Sequence, residues 1–236
     1  MSKVADHRRT SFLREFHAAH AGATSRAFAK TGSYARLAAG VRGRVLDLAC
    51  GDLVMPGAIG VDVSMEELAR GDGVRVQACA QALPFRAGAF DACVCHLAFM
   101  LFDDIEQVVA ELARVIVPGG RFVALLGGGP VEPAEEGDAF HRFLAIARPH
   151  LRPIALGDPR AKSERGWREL FANWSAPVFE RVELELGGTF EHAWAFLGAS
   201  YQLAPESAES VRAALYADLG DRVTCRVACY LASVTR

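Results

Sequence analysis

Two aspartates near short apolar runs stand at a spacing that suits nucleoside binding. Asp47 lies in VLDLACGD at 45–52, and Asp62 lies in IGVDVS at 59–64. Such runs predict neighbouring parallel strands, and ligands of α/β sheets bind at the carboxyl ends of those strands. The small residues before Gly51 allow the backbone to approach a ligand closely. Asp62 can accept hydrogen bonds from both hydroxyls of a ribose.

The two aspartates leave two enzyme classes open, a dehydrogenase and a methyltransferase. Three further motifs distinguish between these classes. They are ALPF at 82–85, AFDACVCH at 89–96 and ELARVIVPGGRF at 111–122. In this order and spacing, the five motifs resemble those of the class I S-adenosylmethionine (SAM) dependent methyltransferases, in their small-molecule branch. The resemblance covers roughly residues 34–126. No GxGxxG follows the first predicted strand, which counts against an NAD-dependent enzyme.

The resemblance implies how the first two motifs would hold SAM. Asp47, Ala49 and Gly51 would line its methionine part, with Asp47 facing the ammonium group. Asp62 would accept from the ribose hydroxyls. A structural alternative stays open for each acid: Asp47 would bind loop amides, and Asp62 would cap the next helix.

The adenine site departs from the family pattern. Cys79 stands where the family commonly has an aspartate that accepts from the adenine amino group, and a thiol is a weaker acceptor. Ala80 and Gln81 would therefore carry adenine recognition, and Val63 would form an apolar wall. Simple core packing is the alternative for Val63.

The connection between the first two predicted strands is shorter than usual. Nucleotide-binding units of this kind place the ribose acid about 20 residues beyond the glycine motif. Here residues 53–57, which include a proline and a glycine, leave room for about one helical turn. We expect the helix after the first strand to be nearly absent.

Two histidines are candidate catalytic residues, and two residues of the N-terminal region are candidate cofactor contacts. In the family, the position of His96 at the end of the fourth strand lies beside the transferable methyl group, so His96 would contact the cofactor and orient the acceptor or remove its proton. His20 is a second candidate base. Tyr34 would contact the sulfonium through a cation–π interaction, and Arg36 would bind the methionine carboxylate. Loop capping by His96 and solvent-facing positions for Tyr34 and Arg36 are the alternatives.

The order of elements predicts an α/β fold with a Rossmann-like, seven-stranded and mostly parallel sheet. The resemblance adds an antiparallel last strand, a helical cap over residues 1–40, and a methyltransferase domain over 41–236. A helical insertion at about 187–221, between strands 6 and 7, would form a lid. The predicted strands cover 44–49, 58–63, 74–79, 90–96, 121–126, 178–186 and 222–235, and the main predicted helices cover 106–117, 134–151, 163–173 and 206–219.

Composition narrows the classes of partner. A formal net charge of −2 disfavours nucleic acid, and no apolar run approaches the ~20 residues of a membrane span. The charged N-terminus lacks the apolar core of a secretory signal, so we expect a cytoplasmic protein. The six cysteines do not have the spacing of a metal site, and we expect reduced, buried thiols.

These observations favour transfer of a methyl group from SAM to an oxygen, nitrogen or carbon of a small molecule, in specialised metabolism. Aromatic residues in the loops near the site suggest an apolar or aromatic acceptor. Two alternatives stay open: methylation of a carrier-protein-bound acyl carboxylate, and a SAM-binding protein without methyl transfer. Homodimer formation is also left open.

Overall fold

A seven-stranded sheet with the strand order β3-β2-β1-β4-β5-β7-β6 forms the centre of the protein. The computed structural model describes residues 12–13, 15–152 and 154–236. Neighbouring strands from β3 to β5 are parallel, and β7 is antiparallel to both β5 and β6. The predicted Rossmann-like fold is therefore confirmed, including its antiparallel last strand. The strands are β1 Val45–Leu48, β2 Ile59–Asp62, β3 Val74–Gln77, β4 Phe90–His96, β5 Ile116–Pro130, β6 Val178–Glu185 and β7 Arg226–Thr235.

Helices cover both faces of the sheet. They are α1 Ala23–Phe28, α2 Ser33–Ala39, α3 Met65–Leu68, α4 Ile105–Val115, α5 Ala139–Ala147, α6 Glu164–Leu170, α7 Phe190–Leu197 and α8 Ala208–Leu219, and residues 12–13 and 15–19 are also helical. Successive residues of a strand point to opposite faces. Phe122 accordingly packs in one core with α4 and α6, whereas Val123 packs in the other with α1, α2, α5, α7 and α8. No helix among the described residues is long and apolar enough to cross a membrane.

The connector between β1 and β2, residues 49–58, contains no helix, as the sequence predicts. Gly60 of β2 lets the connector lie directly on the sheet. A Cβ atom at Gly60 would stand 2.5 Å from a methyl group of Val54 and 2.7 Å from the Cys50 sulfur. Met55 and Ala58 are buried in the same core as α1 and α2, so connector side chains cover part of the sheet that a helix would otherwise cover.

β5 is longer at both ends than the sequence predicts. It begins at Ile116, which pairs with Phe90, so α4 ends at Val115. The glycine-rich stretch after Leu126 lies beyond the predicted end of the fifth strand at 126, yet it stays in β5, where Pro130 pairs with Val227 of β7. That prediction was wrong because pairing with β7 holds the glycines in the sheet. β7 in turn begins at Arg226, later than predicted.

The predicted insertion lies between β6 and β7 and contains α7 and α8. Phe190 and Leu197 of α7 and Val211 and Leu215 of α8 are buried against the sheet. The predicted N-terminal cap contains α1 and α2, while its first part, residues 1–11, lies outside the described residues. The division into cap, domain and lid stays a prediction.

Candidate functional site

Asp62, at the end of β2, accepts a hydrogen bond from the turn that follows β1. Its Oδ2 atom accepts a hydrogen bond from the Gly51 amide at 2.9 Å, and its Oδ1 atom accepts from the Ser64 amide at 2.8 Å. Burial raises the pKa of Asp62. Each carboxylate oxygen has more than one lone pair, so both can still accept from a ribose hydroxyl. The capping contact and ribose binding are therefore compatible.

Asp47 is buried at the end of β1 and accepts a hydrogen bond from the Met55 amide at 2.8 Å. Burial, and the nearby charge of Asp62, raise the pKa of Asp47 to about 7. An ionised Asp47 is therefore costly in the free protein. A cationic ligand would favour the ionised form, which is the form that binds an ammonium group well.

The turn between these acids has an unusual backbone. Ala49 has φ +54° and Gly51 has φ +59°, and both values lie in the left-handed region. Glycine adopts this conformation freely, but alanine does so at a cost of roughly 1–2 kcal/mol. The conformation places the Gly51 amide on Asp62, so the strain at Ala49 is part of the geometry of the site.

His96 lies at the end of β4, among aromatic rings. Its ring stacks on Tyr34 with centroids 4.2 Å apart, and its Nε2 atom lies 3.0 Å from the Ser33 hydroxyl. Its buried Nδ1 atom has no hydrogen-bond partner among the described residues. Burial lowers the pKa of His96 to about 3, so the ring is neutral and a weak base. We therefore regard His96 as a candidate ligand contact rather than a proton acceptor.

The predicted adenine residues follow β3. Cys79 is exposed, which corrects our expectation of six buried thiols, and the other five are buried and free. Ala80 is buried, while Gln81 donates from its side chain to the Asp103 carbonyl at 2.8 Å and so helps to fix the loop. Val63 is half-buried beside them, and its carbonyl accepts from Gln77.

A clamp that the sequence did not reveal holds the next part of this loop. Glu111 accepts from the Leu83 amide at 2.6 Å, and Arg114 donates to the Leu83 carbonyl at 2.8 Å and to the Phe85 carbonyl. Arg114 also pairs with Glu111 at 2.7 Å, and this pairing lowers the pKa of Glu111. Glu111 and Arg114 thus position the loop that follows the predicted adenine-binding residues.

Arg36 does not share the environment of Tyr34. It is exposed on α2, two residues beyond Tyr34, and residues at that spacing point in different directions from a helix. Binding of the methionine carboxylate by Arg36 stays a prediction. Among the described residues, no three His, Cys, Asp or Glu side chains gather as a metal site would require.

A cavity of about 380 Å³ lies beyond the end of β4. It opens between the N-terminal helices, the ends of β4 and β5, and the segment after α7. Leu97, which directly follows His96, is in its wall and has φ +58°, a strained value for a large side chain. Most of the wall is apolar or aromatic, and its polar members are His17, His20, Thr24, Lys162, Ser200, Tyr201 and Gln202.

A buried glutamate joins the N-terminal region to the helix that follows β2. Glu67, in α3 directly after β2, accepts from the Gly22 amide at 3.0 Å and lies 3.4 Å from the Nδ1 atom of His17. The Tyr201 hydroxyl lies 3.1 Å from the Nε2 atom of the same histidine. Because His17 and Tyr201 both line the cavity, this group connects the cavity to the region of Asp62.

The structure brings some of the predicted residues together and places others apart. The structure brings Asp47, Ala49, Gly51 and Asp62 together at the ends of β1 and β2, and it places His20 in the cavity wall. It also adds Glu67, which our sequence analysis did not single out as a site residue. A glutamate in an acidic helical turn carries no signal that marks it as buried.

This fold and this pair of acids define a nucleoside-binding α/β protein. Comparisons with known proteins narrow that class. A family model described as a methyltransferase domain matches residues 37–124. A demethylmenaquinone methyltransferase of Corynebacterium urealyticum is 30% identical over 162 residues, which cover 55% of this chain and 70% of that protein.

Two further matches agree with this. A demethylmenaquinone methyltransferase of Thermus thermophilus is 44% identical over 101 residues, or 35% of this chain; the match spans about half of that protein, 46% of its length. The solved structure of the YcgJ protein of Bacillus subtilis is 18% identical and has a TM-score of 0.55, covering 86% of this chain and 97% of that one. The chain belongs to the class I SAM-dependent methyltransferases.

The residues present fit SAM. The Asp62 oxygens suit the ribose, the small residues of the turn leave the backbone accessible, and the ionised form of Asp47 would suit the ammonium group. The unpartnered Nδ1 atom of His96 offers one further polar contact. In this family SAM supplies a methyl group that is already activated on a sulfonium.

Proposed function

We propose that the protein transfers a methyl group from SAM to an apolar or aromatic small molecule. The observation that carries this proposal is the cavity of about 380 Å³, whose mostly apolar wall adjoins the residues expected to hold SAM. Ligand sites of this kind combine an apolar wall with a few polar groups that fix orientation. A role in specialised metabolism and a cytoplasmic location belong to the same proposal.

The protein would act mainly by alignment and by exclusion of water. Because the methyl group is already activated, the protein has to hold the acceptor atom in line with it. Apolar residues such as Phe28, Phe196 and Leu97 would position the acceptor and keep water out. Asp47 and Asp62 would hold the donor, and Tyr34 with His96 would line its methionine side.

The named relatives offer a first acceptor to test. Demethylmenaquinone is the compound in the names of the Corynebacterium and Thermus relatives. A search for products that gain one methyl unit, first with demethylmenaquinone and then with aromatic alcohols, would identify the acceptor class. The absence of any product from a protein that binds SAM would instead favour a binding protein without methyl transfer.

Replacement of one acid tests the donor site directly. Asp62→Ala removes two charge-assisted acceptors for the ribose, each contributing ~1.5–3 kcal/mol before water replaces part of the loss. We expect S-adenosylhomocysteine to bind at least about tenfold more weakly by calorimetry, at ~1.4 kcal/mol per factor of ten. Asp72→Ala, at an exposed position, is the matched control. Equal affinities for the two variants would remove the SAM assignment at this site.

A further inference from the structure

Three side chains from distant parts of the chain form a continuous polar path out of the cavity. The Tyr201 hydroxyl lies 3.1 Å from Nε2 of His17, and Nδ1 of His17 lies 3.4 Å from Oε1 of Glu67. Tyr201 and His17 line the cavity, whereas Glu67 is only 5% exposed. The path therefore begins where an acceptor would lie and ends at a buried carboxylate.

The surrounding contacts fix each member in place. The Tyr201 ring packs on Phe16 at a centroid distance of 4.5 Å, and the Gly22 amide donates to the second oxygen of Glu67. Burial, with the nearby charges of Glu67 and Asp62, raises the pKa of Tyr201, so its hydroxyl keeps its proton at neutral pH. Tyr201 is therefore the donor in its bond to His17.

The chemistry of the three groups favours one direction along this path. A carboxylate oxygen accepts hydrogen bonds, and Oε1 of Glu67 is the acceptor that lies near Nδ1 of His17, at 3.4 Å, so Glu67 favours the His17 tautomer with its proton on Nδ1. Nε2 then presents its lone pair to the Tyr201 hydroxyl. This is the arrangement in which a carboxylate orients a histidine for proton removal, as in other enzymes that use paired groups of this kind.

We propose that Tyr201 and His17, oriented by Glu67, remove the proton from a hydroxyl group of the acceptor. This inference rests on the proposed function and makes the acceptor a hydroxylated aromatic compound. The acceptor O–H bond breaks as its oxygen forms a bond to the methyl carbon, and the S–CH3 bond breaks to leave a neutral thioether. The acceptor proton passes to the Tyr201 oxygen while the Tyr201 proton passes to Nε2 of His17, and the resulting imidazolium later releases its extra proton to water.

Two features of the cavity favour this acceptor class. A carboxylate acceptor is already ionised at neutral pH, so its methylation would not be accelerated by a group that removes a proton. Among the described lining residues there is a cation, Lys162, but no Asp or Glu, which disfavours a positively charged amine in the cavity. A weakly acidic hydroxyl is the group that gains most from proton removal.

The other histidines near the site suit this task less well. His96 is neutral and weakly basic because of its burial, and it contacts Ser33 and Tyr34 instead of the cavity. His20 lines the cavity and packs against Phe16 with ring centroids 4.4 Å apart, but burial and the neighbouring His17 lower its pKa. Neither His96 nor His20 has the contact with Glu67 that orients His17.

The first test reads the proton positions without turnover. Nitrogen NMR of histidine-labelled protein with bound S-adenosylhomocysteine, assigned by loss of the signals in His17→Gln, reports which ring nitrogen of neutral His17 carries hydrogen. We expect Nδ1–H in the unaltered protein and a shift toward Nε2–H in Glu67→Gln, which lacks the charge. An Nε2–H form in the unaltered protein would overturn the proposal.

The second test separates proton removal from positioning by using two acceptors of similar shape. 2-Naphthol is largely protonated at neutral pH, whereas 2-naphthalenethiol ionises far more easily and is nucleophilic as the thiolate. We expect His17→Gln and Tyr201→Phe to lower kcat for 2-naphthol by at least about 100-fold, and to lower kcat for the thiol by less than about threefold. His141→Gln, whose ring contacts the Val131 carbonyl outside the cavity, is the matched control.

The outcomes distinguish this inference from the proposed function. Equal losses for both acceptors in His17→Gln would show that the residue only positions the acceptor, and would overturn the base assignment. Methylation of the thiol but not of 2-naphthol by the unaltered protein would reject the hydroxyl acceptor while leaving methyl transfer intact. Failure to bind S-adenosylhomocysteine would reject the proposed function itself.

Discussion

The buried carboxyl of Asp47 makes the stability of the folded protein depend on pH. The pKa of this buried carboxyl is about 7 in the folded protein, whereas its ordinary value is 3.8. Between pH 3.8 and pH 7, the folded state therefore keeps a proton that the unfolded state has released. The free energy of unfolding therefore falls as pH rises toward 7. In the SAM complex that we propose, the ammonium group would instead favour the ionised form of Asp47.

Asp47→Asn should remove this pH dependence. We compare the free energy of unfolding of the variant with that of the unaltered protein. The variant's advantage should grow between pH 5 and pH 8 by on the order of 2–4 kcal/mol, because one pKa unit corresponds to about 1.36 kcal/mol. Urea unfolding at the two pH values measures this change, and Asp72→Asn, at an exposed position, serves as the control. The same Asp47 variant should bind S-adenosylhomocysteine at least about tenfold more weakly. A stability difference that is the same at both pH values would contradict the argument.

Individual residues were predictable where the chemistry is local. The proximity of Asp47, Gly51 and Asp62 was predictable because strand ends and small-residue turns leave a short sequence pattern, while their binding of SAM stays a prediction. The contact between Tyr201 and His17 joins positions 184 residues apart, and no periodicity relates them. Such contacts depend on how the helices cross the sheet, so the structure was needed to find them.

At the scale of single elements, α4 supports the site through its polar face. Arg114 holds the carbonyls of Leu83 and Phe85 and neutralises the mostly buried Glu111. Arg114→Gln leaves Glu111 without its cation, so we expect a loss of about 1–3 kcal/mol in the free energy of unfolding at neutral pH.

This loss should depend on pH in the opposite sense to that at Asp47. The pKa of Glu111 is lowered in the folded protein, so its stabilising contribution is present above the ordinary value of 4.5 and is lost as pH falls below it. Urea unfolding at neutral and acid pH measures both effects. Arg165→Gln, in an exposed pair on α6, should cost less than about 1 kcal/mol. Equal effects of the two substitutions would show that the clamp adds nothing.

Elements were predicted well where hydrophobic periodicity is strong, and poorly where glycine is frequent. The apolar positions of α4 place it within two residues of its observed bounds. The glycines at 127–129 predict a turn on local grounds, yet pairing with β7 keeps them in β5. Tertiary pairing can outweigh local preference, and the sequence does not show which partner strand will supply it.

At the scale of the whole molecule, the cap and the segment after α7 close the cavity together. His192 of α7 lies 3.2 Å from the Ala27 carbonyl, the Phe28 and Phe196 rings are 5.6 Å apart, and Tyr201 contacts His17. Separation of these contacts would widen the cavity for a ligand. We therefore expect local opening here in the free protein.

Hydrogen exchange measures this opening. Without ligand, amides at 15–28 and 198–204 should exchange faster than those of Val45–Leu48, and S-adenosylhomocysteine should slow them. Amides of α8 around the buried Val211 and Leu215 should change little and serve as an internal control. Exchange at 198–204 that is already as slow as in β1 would mean that this segment is part of the rigid core.

The helix-free connector at 49–58 also bears on how the chain folds. Leu46 pairs with Ile59 in β1 and β2, a shorter loop than the one closed when Leu46 pairs with Cys93 of β4. The entropy lost on closing a loop grows with its length, so pairing of β1 with β2 is among the least costly steps in forming the sheet. That pair carries both acids of the proposed donor site, whereas the cavity needs segments from near both ends of the chain. During synthesis on the ribosome, the strands that hold Asp47 and Asp62 can therefore pair well before the C-terminal part of the cavity wall, which includes Tyr201, has been made.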